Sequence, residues 1–289
     1  MEYAAPTCVE DAIGLLGAAG DGGRALAGGT DLLVQLRTGV RRPETVVDLK
    51  HIPELRRIEC DGGGFRIGAA VSGAELGEHA ELRAAWPGVV EAACLIGSTQ
   101  IQGRASLGGN LCNASPAADS VPALIAADAV CTVAGPDGRR EVAVENVVVG
   151  PGETSLGRGE IVIEFRLPAP PPRSGDAYLR MIPRSEMDIA IAGAGVALAL
   201  DDAGVCTACR IGLGAVAPRP LLADAAAAEL IGRAPDADAL ARLADAASAA
   251  TDPIDDKRGT RVYRQRVAVV LARRAAETAL GRARERATA

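Results

Sequence analysis

Residues 106–119 read Ser-Leu-Gly-Gly-Asn-Leu-Cys-Asn-Ala-Ser-Pro-Ala-Ala-Asp, a long polar stretch set between apolar segments. Its adjacent glycines, Gly108 and Gly109, let a backbone come very close to another group. Asn110, Ser115 and Asp119 add short polar side chains able to hydrogen-bond a polyhydroxy ligand, and Ser106 opens the run. The apolar neighbours set this loop against the core. A polar loop held there must satisfy its groups, and a ligand is one way to do so. A second diglycine, Ala27-Gly28-Gly29-Thr30-Asp31, stands earlier in the chain. Two such loops suggest a pair of backbone clamps on one extended, phosphate-bearing ligand.

The earlier turn has the context such a clamp needs. Residues 24–27 read as a short buried strand and 31–37 as the start of a helix, whose free N–H groups suit phosphate. Thr30 or Asp31 serves equally well as a plain N-cap, so this loop alone fits a tight turn as well as it fits a ligand contact. A competing motif, Gly212-Leu-Gly214-Ala-Val-Ala217, matches G-x-G-x-x-A. In a dinucleotide fold those glycines open a helix. Pro218 and Pro220 fall in what would be its first turns, which excludes that reading. There is no P-loop sequence.

Composition narrows the classes further. A chain of 289 residues with 48% hydrophobic and 24% charged residues reads as globular, with room for two domains. Only 2% of residues are aromatic, so the core must rest on Ala, Val, Leu and Ile, and a base-stacking nucleic-acid surface is excluded. The net charge of −6 argues against a polyanion binder. The basic run Lys257, Arg258, Arg261, Arg264 and Arg266 reads as a solvated helix face or a subunit contact. No apolar run approaches the ~20 residues of a membrane span, and no signal-peptide pattern opens the chain. Seven scattered cysteines fit a reducing cytoplasm. Cys206 and Cys209, three apart in an expected strand, should point to opposite faces, and no second pair completes a metal set. His51 and His79 read as surface residues. No nucleophile or acid–base constellation stands out, so if the chain is an enzyme a cofactor carries the chemistry.

The pattern of elements predicts an α+β protein. A capping box at Thr7-Cys-Val-Glu10 should open a helix ending near Gly20. A strand is expected at 45–49, hairpins at 55–69 and 130–144, a helix capped by Ser72, further helices at 89–96 and 119–127, and a strand at 161–167. The proline-rich 168–175 stretch marks a boundary between residues 1–170 and 176–289. Beyond it, three antiparallel strands (177–181, 189–200, 205–213) precede Ala-rich helices at 221–232, 236–250 and 262–286.

Several motifs, in this order, resemble the FAD-binding medium subunit of the xanthine dehydrogenase/carbon monoxide dehydrogenase family of molybdenum hydroxylases. They are Tyr3…Pro6, Leu26-Ala-Gly-Gly-Thr-Asp-Leu32, Ile96-Gly-Ser-Thr-Gln-Ile101, Ser106-Leu-Gly-Gly-Asn110…Ser115-Pro-Ala-Ala-Asp119, Gly159-Glu-Ile-Val…Pro168 and Arg184-Ser-Glu-Met-Asp-Ile-Ala190. The resemblance implies an FAD domain of the vanillyl-alcohol-oxidase-like type, built of two α+β subdomains, and a smaller C-terminal α+β domain with a three-stranded sheet. It implies that Ala27, Gly28, Gly29, Thr30 and Asp31 wrap the pyrophosphate. Ser106, Gly108, Gly109 and Asn110 would meet the diphosphate and ribityl region, and Ser115 and Asp119 further polar groups. Ile161, Arg180, Met187 and Asp188 complete the implied set, the last three near the isoalloxazine ring.

The same resemblance implies no metal in this chain and no catalytic side chain of its own. It implies a cytoplasmic electron-transfer subunit beside a molybdenum-cofactor large subunit and a [2Fe–2S] small subunit, with NAD, oxygen or a quinone as acceptor. Gln102 and Arg104 depart from the family pattern just upstream of the second loop. A stand-alone flavin oxidoreductase and an assembly module that has lost its flavin are the alternatives.

Overall fold

The computed structural model describes residues 1–286; residues 287–289, the tail of the expected C-terminal unit, lie outside the described residues. The architecture is α+β in three lobes. In the first, β1 (Glu2–Ala4), β2 (Gly23–Leu26) and β3 (Thr45–Asp48) form a parallel sheet in the order β1-β3-β2. Parallel strands need a crossover, which α1 (Val9–Ala19) supplies between β1 and β2. Its apolar stripe Val9, Ala12 and Leu16 is buried, and Gly20, at φ +55°, ends it. The capping box expected at Thr7 does not form: Cys8 is the N-cap and makes no side-chain cap bond. β1, three residues long, is too short for its sequence to show a strand period. The short α2 (Leu32–Thr38) follows β2 and buries none of its residues.

The second lobe is a five-stranded antiparallel sheet, β4 (Ile58–Asp61), β5 (Gly64–Gly68), β6 (Val130–Gly135), β7 (Gly138–Ala143) and β10 (Ile161–Leu167), in the order β4-β5-β10-β6-β7. The small pair β8 (Val148–Gly150) and β9 (Glu153–Thr154) lies between β7 and β10 in sequence. Both expected hairpins are present; Gly62 and Gly63, at φ +59° and +86°, form the tight turn of β4–β5. Between β5 and β6 run α3 (Gly73–Glu78), α4 (Ala80–Ala85), α5 (Pro87–Cys94), α6 (Thr99–Gln102), α7 (Leu107–Cys112) and α8 (Ser120–Ala126). Ser72 caps α3 in a full capping box with Glu75. The core of this lobe is aliphatic, gathered round Phe65, Trp86 and Phe165.

The third lobe is an antiparallel meander of β11 (Ser174–Met181), β12 (Ala192–Leu200) and β13 (Cys206–Gly214), plus a two-residue β14 (Leu221–Leu222) that makes the sheet four-stranded rather than three-stranded. Leu221 and Leu222 pair with the open edge of β13, so the helix expected from 221 shrinks to α9 (Asp224–Ala228). α10 (Ala237–Ala249) and α11 (Arg261–Arg286) follow, and the alanine face of α11 packs on the sheet. Cys206 and Cys209 are both buried in that core, contrary to the alternation rule. A β-bulge explains it: Ala199 and Leu200 oppose Ala208 and Cys206, so Thr207 is an extra residue and shifts the pleat by one.

Gly212 and Gly214 also acquire a structural reason. Together with Gly195 they lie against Pro122 of α8; a Cβ on Gly195 would stand 2.6 Å from the Pro122 carbonyl oxygen, and one on Gly214 2.7 Å from its Cγ. These glycines let the third lobe press directly on the second.

Candidate functional site

A cavity of about 620 Å³ opens between the first and second lobes, within the size range of cofactor pockets. Ala27, Gly28, Gly29, Thr30 and Asp31 line it from one side, Ser106, Gly108, Gly109 and Asn110 from another, and Ile161 of β10 from a third. The two glycine turns are neighbours. A Cβ on Gly28 would overlap the Arg104 carbonyl, and one on Gly109 would stand 3.7 Å from the Ala27 Cβ. Gly29, at φ +79°, takes a left-handed backbone that bulkier residues resist. Across the gap Gln35 Nε2 donates to Asn113 Oδ1 at 3.2 Å.

The turns differ in how their polar groups are satisfied. In the second, the Ser106 hydroxyl accepts from the Gly109 N–H at 3.1 Å, and the Gly108 N–H donates to the Ala69 carbonyl at 3.1 Å. Asn110 Oδ1 accepts from both the N–H and the hydroxyl of Ser120, at 3.1 and 2.7 Å. In the first, no protein acceptor among the described residues meets the N–H groups of Gly28, Gly29, Thr30 and Asp31. Successive unpartnered N–H groups around a left-handed glycine form an anion-binding concavity. Arg24, Arg41 and Arg158 also line the cavity, together with Asp21, Asp31 and Glu160, so its charged side chains are of both signs. The residues present fit a diphosphate: backbone donors without partners among the described residues, and glycines that let the two turns approach each other at the cavity wall.

Other expected residues lie elsewhere. Asp119 and Arg180 do not line the cavity. They meet each other at 2.6 Å, both nearly buried, where α8 joins β11, and the Tyr178 hydroxyl donates to Asp119 at 3.2 Å. Burial pushes the Asp119 carboxyl upward against the lowering effect of Arg180 and Tyr178, and burial likewise holds the Tyr178 hydroxyl well above its usual range. Ser115 accepts from the Ala117 N–H in a local turn. Met187 and Asp188 sit on the 182–190 loop, Met187 exposed and the Asp188 side chain largely covered. There the Met187 N–H reaches the Gly97 carbonyl at 3.4 Å, beside cavity-lining Ile96, and Asp188 pairs with Arg258 at 3.1 Å. The Ile189 N–H, Arg258 and Arg184 hold the Asp188 carboxyl below its usual value.

The departures from pattern find local roles. Gln102 donates to the Cys94 carbonyl, and the Arg104 backbone abuts Gly28. His79 is a half-buried cap rather than a surface residue: its Nδ1 accepts from the Leu82 N–H at 3.2 Å, and its ring meets Phe65 edge-on. His51 is exposed. The basic run is not simply solvated either. Arg264 is 4% exposed and bonds Asp256 and the Ile191 and Ala215 carbonyls, while Arg261 pairs with Asp252. No described helix is long and apolar enough to cross a membrane.

The size of the cavity and the unpartnered donors at its wall suit a long, diphosphate-bearing ligand. The family described as the FAD binding domain in molybdopterin dehydrogenase matches residues 1–170, and the CO dehydrogenase flavoprotein C-terminal domain matches residues 177–279. The carbon monoxide dehydrogenase medium chain of Afipia carboxidovorans is 36% identical over 284 residues, covering 98% of each chain. The putative xanthine dehydrogenase FAD-binding subunit of Escherichia coli is 34% identical over 221 residues, 76% of this chain and 75% of that one. The solved carbon monoxide dehydrogenase of Hydrogenophaga pseudoflava superposes with a TM-score of 0.94 at 35% identity, over 98% of each chain. This chain belongs to the FAD-binding medium-subunit family of the molybdenum hydroxylases: an oxidoreductase subunit whose cofactor is FAD.

Proposed function

We propose that this chain is the electron-transfer subunit of a molybdenum-containing hydroxylase, taking electrons from a [2Fe–2S] small subunit through FAD to an external acceptor such as NAD, oxygen or a quinone. A separate molybdenum-cofactor large subunit would oxidise the substrate. The observation that carries this reading is the contact of two glycine turns at one cavity, with the N–H groups of Gly28, Gly29, Thr30 and Asp31 unpartnered. Relatives named as a carbon monoxide dehydrogenase medium chain and a nicotinate dehydrogenase FAD-subunit support the place in a larger assembly. Bound FAD exchanges one or two electrons, so it can join one-electron carriers to two-electron acceptors.

On this reading residues 1–170 are the cofactor unit and 176–289 the C-terminal unit. Ala27 through Asp31 hold the pyrophosphate by backbone donors, and Gly108, Gly109 and Asn110 form the opposing wall, with Ser106 fixing its first turn. Ile161 closes the cavity from β10. Asp119 and Arg180 act from the lobe junction, where each neutralises the other close to the second turn. Ser115, Met187 and Asp188 would meet the cofactor from the rim. Seven free thiols among the described residues support a reducing, cytoplasmic setting.

Expressing the chain with the genes beside it and purifying gently tests the reading. A co-purifying complex with a flavin absorption spectrum is the expected result. A lone active flavoprotein would favour a stand-alone oxidoreductase, and a complex free of flavin would favour an assembly module.

A further inference from the structure

Lys50 lies outside the cavity lining, yet its ammonium is tied to the first glycine turn. Nζ donates to the Ala27 carbonyl at 2.9 Å and to Asp48 Oδ1 at 2.7 Å. Asp48 is 4% exposed, and its other oxygen accepts the Tyr3 hydroxyl at 2.7 Å. Asp48 Oδ1 accepts the Lys50 N–H as well, at 3.0 Å. One polar chain thus runs from β1 through β3 to the end of β2. Burial alone would raise the Asp48 carboxyl, but the bonds from Lys50 and Tyr3 outweigh it and hold the group below its usual value, so the anchor stays ionised.

The Ala27 C=O and the Gly28 N–H belong to the same peptide unit. That unit is planar and trans, so the two groups point in opposite directions. Fixing the carbonyl toward Lys50 therefore fixes the Gly28 N–H on the side away from Lys50; it has no protein partner among the described residues, and Gly28 lines the cavity. Gly29, at φ +79°, is the freest joint in the turn. A glycine turn without an external tie can rotate its peptide planes, and donors that rotate must be re-ordered when an anion binds.

We infer that Lys50, held by Asp48 and Tyr3, is a positioning residue for the cofactor's diphosphate: it locks the Ala27–Gly28 peptide with its N–H facing the cavity. The inference rests on the FAD reading above. Lys50 touches the turn and not the cavity, so its effect is on affinity through pre-organisation.

The test uses the full chain in its purified complex, stripped of flavin and titrated with FAD, with the unfolding midpoint of the flavin-free protein measured in parallel. Lys50→Met should raise the FAD Kd about tenfold, the worth of one charge-assisted hydrogen bond. Lys50→Met also leaves the buried Asp48 carboxylate without its cation, so the flavin-free midpoint should fall as well, and the titration is read below that midpoint, on folded protein. Lys50→Arg should recover part of the affinity, because it can still donate to Ala27 and Asp48. Tyr3→Phe deletes one hydroxyl at an otherwise exposed ring and should raise Kd a fewfold, an arm that survives if Lys50→Met folds poorly. An unchanged Kd in both Lys50→Met and Tyr3→Phe, beside a wild type that binds FAD, overturns the inference alone. A wild type that takes up no FAD overturns the cofactor reading and this inference with it.

Discussion

The molecule has two internal junctions, and both are built on glycine. Between the first and second lobes, Gly28, Gly29, Gly108 and Gly109 bring backbones together and leave a cavity with unpartnered donors. Between the second and third lobes, Gly195, Gly212 and Gly214 bring β12 and β13 onto Pro122 and leave little space. There the polar groups are largely answered from within: Asp119 by Arg180 and Tyr178, the Val89 N–H of α5 by Asp176, and Arg282 by Glu91 and the Asp176 carbonyl. The same lack of a side chain serves a ligand cradle in one place and a dry joint in the other. What distinguishes them is whether the neighbouring N–H groups already have acceptors.

The closed junction should break hardest. Arg180→Met leaves Asp119 buried without its cation, and the chain should lose about 3–5 kcal/mol of stability in chemical denaturation. Gly212→Ala places a methyl into the Pro122 carbonyl; overpacking of this kind should remove about 1–3 kcal/mol, read in the same experiment. Both losses should appear whether or not FAD is present.

The open junction should break differently. Gly29→Val forces a β-branched residue to φ +79° beside Leu26 and Leu33. The strain should lower stability by about 1–3 kcal/mol, while flavin content falls out of proportion, because the turn that carries the free N–H groups is displaced. Flavin content per chain and the unfolding midpoint, measured on one preparation, separate the two effects.

The smallest effect depends on pH. Asp176 Oδ2 accepts the Val89 N–H at 3.2 Å, its Oδ1 has no partner among the described residues, and burial pushes its pKa up to about 7 despite Arg282 and Arg286 nearby. The native state therefore holds this proton more tightly than the unfolded chain. The stabilisation is full below the unfolded value and is lost as pH rises through about 7. Between pH 6 and 8 the wild type should lose on the order of 1 kcal/mol relative to Asp176→Asn, seen as converging or crossing stability curves. Parallel curves would show that this carboxylate does not titrate at the closed junction.

The sequence made the two junctions unequally legible. Gly28 and Gly29 could be read early because a left-handed residue and a backbone approach leave few alternatives to glycine. Gly212 and Gly214 could be freed from a nucleotide role by Pro218 and Pro220, but their real partner, Pro122, is far away in sequence. Gln35 and Asn113, 78 residues apart, meet only through the tertiary fold, and Lys50 reaches Ala27 only because parallel pairing sets β3 beside β2. Asp119 and Arg180 were each readable as polar residues of a site, but not as each other's partner. The failure of the Thr7 cap, and the bulge that turns Cys206 and Cys209 to one side, show the same limit. Local pattern names the element, while packing across the core chooses its register.

The central claim is that the cavity between the first two lobes holds FAD through the backbone donors at 28–31. Equilibrium titration of the flavin-free complex with FAD, for the wild type and Gly29→Val, tests it most directly. The wild type should bind one FAD per chain, and the variant, still folded by its unfolding transition, should bind at least about tenfold more weakly. Equal affinity in the two proteins would contradict the account.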